Sequence, residues 1–289
     1  MANRFLPTKR SNVNVIRKTT EDIIFETFIV VFIRMVERSL AIKTLDDYPV
    51  LLKSIVRNLD YWFAHRRLTS SALPWYKHGN DSGWDNASLF QWGMPVQAPD
   101  LAVHLIRSCE LLVPLLKEIG ERSDAGRLKE EAERLFDGLM QELLDEEGFF
   151  ARSLEGEILP RTSLLLRYPI LILSTLDSSI QGKLLQDLEE NFVVPAGVST
   201  EDSRSEYYRE DGYWLGPVWA PSTYLIYDAL CHYAEDSKAP HRAQASKLAK
   251  RIAEGFLWHV RRQGWLRIII RSQQIRKVIL LSHGLHRYT

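Results

Sequence analysis

SDAGRLKEEAERLFDGLMQELL, Ser123–Leu144, is the stretch on which the fold turns. Leu128, Ala132, Leu135, Phe136, Leu139 and Leu143 recur at helical steps, while Lys129, Glu130, Glu133 and Arg134 take the opposite side. A period near 3.6 gathers the apolar set into one stripe and leaves the charges in water. Glu118, Glu121 and the Lys129–Arg134 charges therefore read as solvated helix faces. Gly148 is the expected stop, because glycine closes helices in the left-handed conformation.

The same period runs through most of the chain. After Asp46, the residues Leu51, Leu52, Ile55, Val56, Leu59, Trp62 and Phe63 form one stripe. Asp46 or Asp47 is the expected cap, and Pro49 suits the first turn. A second helix is expected over 99–119, kinked or ended early by Pro114. Further helices are expected at 162–175, 178–191, 220–235 and 240–262, with Pro221 and Pro240 at permissive starts. No segment sustains apolar–polar alternation, so a large sheet is excluded, although 147–158 fits a small hairpin. The fold class is all-α, one domain of antiparallel helix pairs over 41–264. Residues 1–40 form an N-terminal segment with a first helix, and 265–289 an atypical basic tail.

Composition narrows the partners. The chain has 289 residues, 45% apolar and 26% charged, with 37 basic residues against 37 acidic ones. That balance points to neither nucleic acid nor an anionic membrane. The apolar stretch Ile23–Val36 carries Glu26 and Arg34. It is shorter than the roughly 20 residues a membrane span needs, so a buried helix is the better reading. The N-terminus shows neither the apolar run nor the small-residue cleavage site expected of a secretory leader, and its first twenty residues, basic and free of acids, mimic a transit peptide but read better as a frayed end. Cys109 and Cys231 make no disulfide framework and fit a reducing, cytoplasmic setting, as small buried hydrophobes. No metal spacing surrounds His78 or His104, so no metal is expected.

Two long loops break the helical pattern. The first contains HGNDSGWDNAS, His78–Ser88, and offers Asp81 and Asp85 with Trp75, Tyr76, Trp84 and Trp92. The second, STEDSRSEYYREDGYWLGPVWAPS, Ser199–Ser222, offers Glu201, Asp202, Glu206, Glu210 and Asp211 among Tyr207, Tyr208, Tyr213, Trp214 and Trp219. Asx–glycine runs also build plain turns, and tryptophans also fill cores. Two such loops in one chain tilt the balance towards a shared pocket. Glycoside hydrolysis needs what they hold: two carboxyl groups flanking the scissile bond, and flat apolar faces for sugar rings. Gly79 and Gly83 permit close approach or left-handed backbone. Asp85 follows Asp81 by four residues. A helical turn would point both carboxyls the same way, and their proximity would raise one pKa.

DSGWDNAS resembles the acid-bearing motif of glycoside hydrolase family 63, which includes processing α-glucosidase I and mannosylglycerate hydrolase and is related to trehalases. DGYWLGPVWAPSTYLIYDAL, Asp211–Leu230, resembles the same family's Tyr-Trp-Arg-Gly-Pro-Val/Ile-Trp block. The likeness runs from about Leu45 to about Gly264. It implies an (α/α)6 toroid and an inverting α-glycosidase that needs no cofactor and takes carbohydrate, α-linked glucose or mannose. On these motifs Asp85 is the general acid. Asp81 and Asn86 bind hydroxyls or orient Asp85. Trp84, Tyr213, Trp214 and Trp219 line the sugar pocket, with Trp75 beside it. Gly216 and Pro217 shape the rim. Leu215 stands where the family has arginine, so one sugar contact is in doubt.

The family's base is a glutamate shortly after a helix that matches Ala249–Gly264. Here no aspartate or glutamate follows Glu254. The segment WLRIIIRSQQIRKVILLSHGLHRYT is basic and β-branched, and reads as a shifted frame or a shortened gene. Glu201, Glu206, Glu210 and Asp211 are the substitutes nearest by motif. An incomplete toroid predicts marginal stability or association. The rival readings are a carbohydrate-binding protein without turnover and a helical interaction scaffold. Gln91–Trp92 also resembles a terpene-cyclase element, but no aspartate-rich ionisation motif accompanies it.

Overall fold

In the computed structural model, residues 43, 44 and 46–263 are described. The expected segment 1–40 with its Ile23–Val36 helix, and the tail 265–289, lie outside them. Six α-helices carry the described chain: α1 Tyr48–His65, α2 Pro99–Glu118, α3 Arg122–Glu142, α4 Ser178–Asn191, α5 Ala220–Glu235 and α6 Arg242–Gln263. A 3-10 segment, Leu164–Thr175, lies between α3 and α4 in sequence and packs on both α2 and α5. The fold is all-α, of helix pairs in the toroid manner. Among the described residues no helix is long and apolar enough to cross a membrane.

The core stripes are those the period demands. α3 buries Leu128, Ala132, Leu135 and Leu139 against α2, and the turn at Gly120 (φ +83°) folds the two helices back on each other. Each buried leucine contributes on the order of 2 kcal/mol. α5 and α6 form the second close pair, with Ile226 and Leu230 facing a core shared with Leu248 and Ile252. On α1, Leu52, Ile55, Val56, Leu59 and Trp62 are buried and Phe63 is half-buried.

Several local expectations are corrected. Asp47 holds the cap position of α1, but its side chain makes no capping bond. Pro114 does not end α2, which runs on to Glu118 because Leu112, Leu115 and Leu116 stay buried around it. Gly148 does not stop α3. That helix ends at Glu142, and Gly148 (φ +120°) sits in a hairpin of β2 Leu144–Asp145 and β3 Gly148–Phe149. The expected helix at 162–175 is a 3-10 segment, since Pro169 removes a backbone donor and Ile172 leaves helical geometry. The strand β4, Arg152–Ser153, pairs with β1, Val96–Gln97, on one side and on the other closes a small hairpin through the Arg152–Ile158 bridge and the Ser153 N–H to Glu157 O bond of 2.9 Å. Glu131 is not solvated but pairs with Arg67 at 2.5 Å. Cys109 is buried, Cys231 only partly.

The inward face of α2 is polar at its first turns. Asp100, His104 and Ser108 follow one another at four-residue steps, and all three are buried. The Tyr76 hydroxyl donates to Asp100 Oδ2 at 2.7 Å, and the backbone N–H groups of Asp100 and Leu101 also face the carboxyl. Burial pushes the Asp100 carboxyl up to about 7, against the Tyr76 bond. Burial likewise holds His104 down at about 3. The Tyr168 ring lies edge-on to both His104 (5.2 Å) and Trp84 (5.9 Å).

Candidate active site

Tyr76 and Val96 exchange backbone hydrogen bonds of 2.8 and 3.0 Å, which tie the first loop at its neck. Inside it, Gly79–Ser82 coils as a 3-10 turn capped by His78. Asp81 Oδ2 accepts from the backbone N–H groups of Lys77 (2.9 Å) and His78 (3.2 Å) and lies 3.7 Å from Arg66 Nη1. Only 3% of Asp81 is exposed. Burial raises its carboxyl above the usual range, opposed by those N–H groups and by Arg66. Gly83, at φ +74°, then reverses the chain, and Asp85 emerges exposed. The two carboxyls therefore do not point the same way, and the rise at Asp81 comes from burial rather than from Asp85. Gly79 makes the arrangement possible, for a Cβ there would fall 2.3 Å from the Asp85 carbonyl oxygen.

The second loop docks against the first through Asn86. Its Nδ2 donates to Gly212 O at 2.9 Å, and its Oδ1 accepts from Trp214 N at 3.1 Å. Both bonds fix backbone, so Asn86 sets the position of the whole Gly212–Trp214 corner. Tyr213 adopts φ +64°, a left-handed geometry uncommon outside glycine. From there its hydroxyl donates to Asp85 Oδ2 at 3.2 Å. Burial, then the neighbouring Asp85 charge, raise the Tyr213 hydroxyl, so it stays a proton donor in that bond. Trp84, Trp214 and Trp219 stack in sequence, with centroids 4.4 and 4.3 Å apart and planes within 18° and 19°. Trp219 Nε1 donates to Tyr213 O at 2.8 Å, fixing the end of the stack. Gly216 is buried at φ +147°, and a Cβ would meet Arg209 O and the Tyr208 ring at 2.7 Å.

One residue takes a role the spacing did not suggest. Glu201 is wholly buried and joins the loops: Ser88 Oγ donates to its Oε2 at 2.7 Å and Ser205 Oγ to its Oε1 at 3.0 Å. Burial raises its carboxyl, opposed by the Thr162, Ser88 and Ser205 hydroxyls and by the Arg167 charge. Both oxygens are thus engaged, which corrects the expectation that Glu201 is a substitute base. Glu206, Glu210 and Asp211 are exposed on the same loop.

The fold brings Asp85, Asn86, Tyr213, Trp214, Trp219 and Gly216 together. Trp84 and Trp214 are buried within the stack, whereas Tyr213 and Trp219 remain partly open. Asp81 sits beneath the loop. The Trp75 ring lies 5.1 Å from the Arg66 guanidinium, on the Asp81 side. Trp214 Nε1 is buried without a hydrogen-bond partner among the described residues. Cavities of about 150 and 350 Å³ lie elsewhere, beside the β2–β3 hairpin and at the α5–α6 turn, and include no residue of the two loops. Among the described residues no group of three or more His, Cys, Asp or Glu is placed to hold a metal ion.

Residues 30–264 match the mannosylglycerate hydrolase MGH1-like glycoside hydrolase domain. The chain belongs to this family. The MGH1-like domain is also visible in the fold. The GH63 mannosylglycerate hydrolase of Thermus thermophilus in complex with glucose superposes with a TM-score of 0.64 at 16% identity, over 84% of this chain and 68% of that one. The same enzyme with Tris and D-glycerate gives 0.63 at 16% identity, over 84% and 71%. Neutral trehalase Nth1 from Saccharomyces cerevisiae gives 0.50 at 17% identity, over 73% and 39%. No curated protein matches the chain by sequence.

Proposed function

We propose that this MGH1-like domain is an inverting hydrolase of α-linked glucose or mannose, with Asp85 as proton donor and with turnover impaired because the family's C-terminal base glutamate has no counterpart in 255–289. The observation that carries the reading is the docking of two loops 128 residues apart, which sets the exposed Asp85 carboxyl on the Tyr213 hydroxyl. Tyr213 also touches Trp214 and Trp219, at 5.6 and 5.3 Å between centroids. A sugar held on the partly open Trp219 face would present its glycosidic oxygen to Asp85. Asp85 gives that oxygen its proton as the bond breaks. Asn86 acts through the backbone of the second loop, and Asp81 through the backbone of the first. The neighbours crystallised with glucose and with D-glycerate support a carbohydrate ligand.

Inversion also needs a carboxylate roughly 6.5–9.5 Å from the acid, on the far side of the sugar, to activate water. Glu201 is engaged by two serines, no acid follows Glu254 within these 289 residues, and the exposed Glu206, Glu210 and Asp211 are the substitutes that remain. The first two of these facts favour a second reading, a carbohydrate-binding protein without turnover. The chemistry calls for no cofactor, and two free cysteines suit a reducing, cytoplasmic setting.

The test uses the full chain with α-glucosides and α-mannosides, assayed for release of sugar and for binding by calorimetry. Binding with slow turnover, abolished in Asp85→Asn, is the expected result. Binding without turnover selects the second reading. No binding of any sugar, or turnover indifferent to Asp85→Asn, defeats the proposal.

A further inference from the structure

Trp92 is 55% exposed, although tryptophan is among the most buried side chains on average. It ends a 3-10 turn, Ser88–Trp92, that starts just beyond Asp85 and Asn86. Gln91 Nε2 reaches back to Asn86 O at 3.4 Å, joining that turn to the corner that docks the second loop. From the second loop comes Tyr207, whose ring meets Trp92 edge-on, 6.0 Å between centroids at 88°. The contact steadies the indole while more than half of the residue stays exposed.

Both halves of this pair are anchored to the same buried group. Ser88, the first residue of the Trp92 turn, donates to Glu201. Ser205, which donates to the other oxygen of Glu201, also accepts from Tyr207 N at 3.1 Å. A buried carboxylate costs free energy. Here its hydrogen bonds fix the relative position of two turns that end in an exposed aromatic pair. Packing alone gives no reason to hold an indole so firmly in water.

We propose that Trp92, steadied by Tyr207, is the platform for a second sugar ring on the leaving-group side of Asp85, so that the ligand is at least a disaccharide. The inference rests on the reading of Asp85 as the proton donor. That group must stand at the oxygen being released, and Trp92 ends the turn that begins three residues after it on the same loop. A pyranose offers a patch of C–H groups on one face, which suits a flat indole, while its hydroxyls stay in water. Glu201 is a positioning residue for the platform and touches no sugar.

Calorimetry on the full chain separates the possibilities. The probes are methyl α-D-glucoside against an α-linked glucose disaccharide, and methyl α-D-mannoside against an α-linked mannose disaccharide. Trp92→Ala is expected to weaken the disaccharide by roughly tenfold, the scale of one aromatic stacking contact, and to leave the methyl glycoside within about twofold. Trp92→Phe keeps a flat ring and is expected to restore most of the loss. Equal loss for both probes, or none for either, overturns the platform while the Asp85 site stands. If the wild-type chain binds neither probe, the site reading fails and the platform with it.

Discussion

Asp85 and Asp100 each accept a hydrogen bond from one tyrosine hydroxyl, Tyr213 at 3.2 Å and Tyr76 at 2.7 Å. Their surroundings differ in every other respect. Asp85 is exposed at the meeting of two loops, whereas Asp100 is sealed in the first turn of α2. Exposure leaves the Asp85 carboxyl within reach of a ligand. Burial makes the charge on Asp100 expensive, so its carboxyl is pushed to about 7 and serves the neck of the first loop through Tyr76. The same side chain thus becomes a reagent in one place and a strut in the other, and solvent access is what separates them.

The sharpest way to break this comparison is to remove each carboxyl in turn. Asp85→Asn should reduce any turnover by about 100- to 10,000-fold, the scale of general acid catalysis, with the melting temperature unchanged. Asp100→Ala should do the reverse. It removes the 2.7 Å bond from the Tyr76 hydroxyl and leaves a small void at the buried neck of the first loop, and should lower stability by about 2–4 kcal/mol in a denaturant titration. If Asp100→Ala melts like wild type, Asp100 is no strut.

A smaller effect sharpens the contrast through pH. The folded pKa of Asp100 is raised, so its share of stability is full below the unfolded value near 3.8 and is lost as pH rises towards about 7. His104 is depressed to about 3, so its share is full above the unfolded value near 6.5 and is lost as pH falls. Between roughly pH 4 and 6.5 the two slopes oppose each other, each up to about 1.4 kcal/mol per unit. Relative to wild type, Asp100→Asn should expose the slope that rises with pH, and His104→Phe the one that falls. Melts across that range check both signs, and parallel curves for all three proteins would contradict the pair of shifts.

The smallest expected effect concerns the docking bond. Asn86→Ala removes two hydrogen bonds to the second loop, each worth about 1 kcal/mol. It should cost up to about 2 kcal/mol of stability and weaken sugar binding, because Tyr213 then loses its fixed distance to Asp85. Unchanged binding would place the docking elsewhere.

Much of this was legible in the sequence, and unevenly. α1, α3, α4, α5 and α6 follow stripes that leave little choice. The 3-10 segment did not declare itself, because LLLRYPILILST is apolar all round and has no period to read. The motif around Asp85 and the block around Trp214 were visible as chemistry. Their exposure was not. Spacing alone could not say that Gly83 turns Asp85 out while Asp81 stays in, or that Trp84 and Trp214 are buried in their own stack. Glu201 looked like one acid among five, since its partners Ser88 and Ser205 carry no period and no charge. Asp100, His104 and Ser108 did leave a trace, three polar residues at four-residue steps along a helix otherwise rich in leucine.

The indole stack has a consequence of its own. Trp84 comes from the first loop, and Trp214 and Trp219 from the second, yet the three rings lie face to face at 4.4 and 4.3 Å. Chromophores that close couple their transition dipoles and yield a paired band in circular dichroism that isolated tryptophans lack. Only the docked loops bring Trp84 into that coupling. The molecule therefore carries an optical gauge of its own site, readable without substrate, label or turnover.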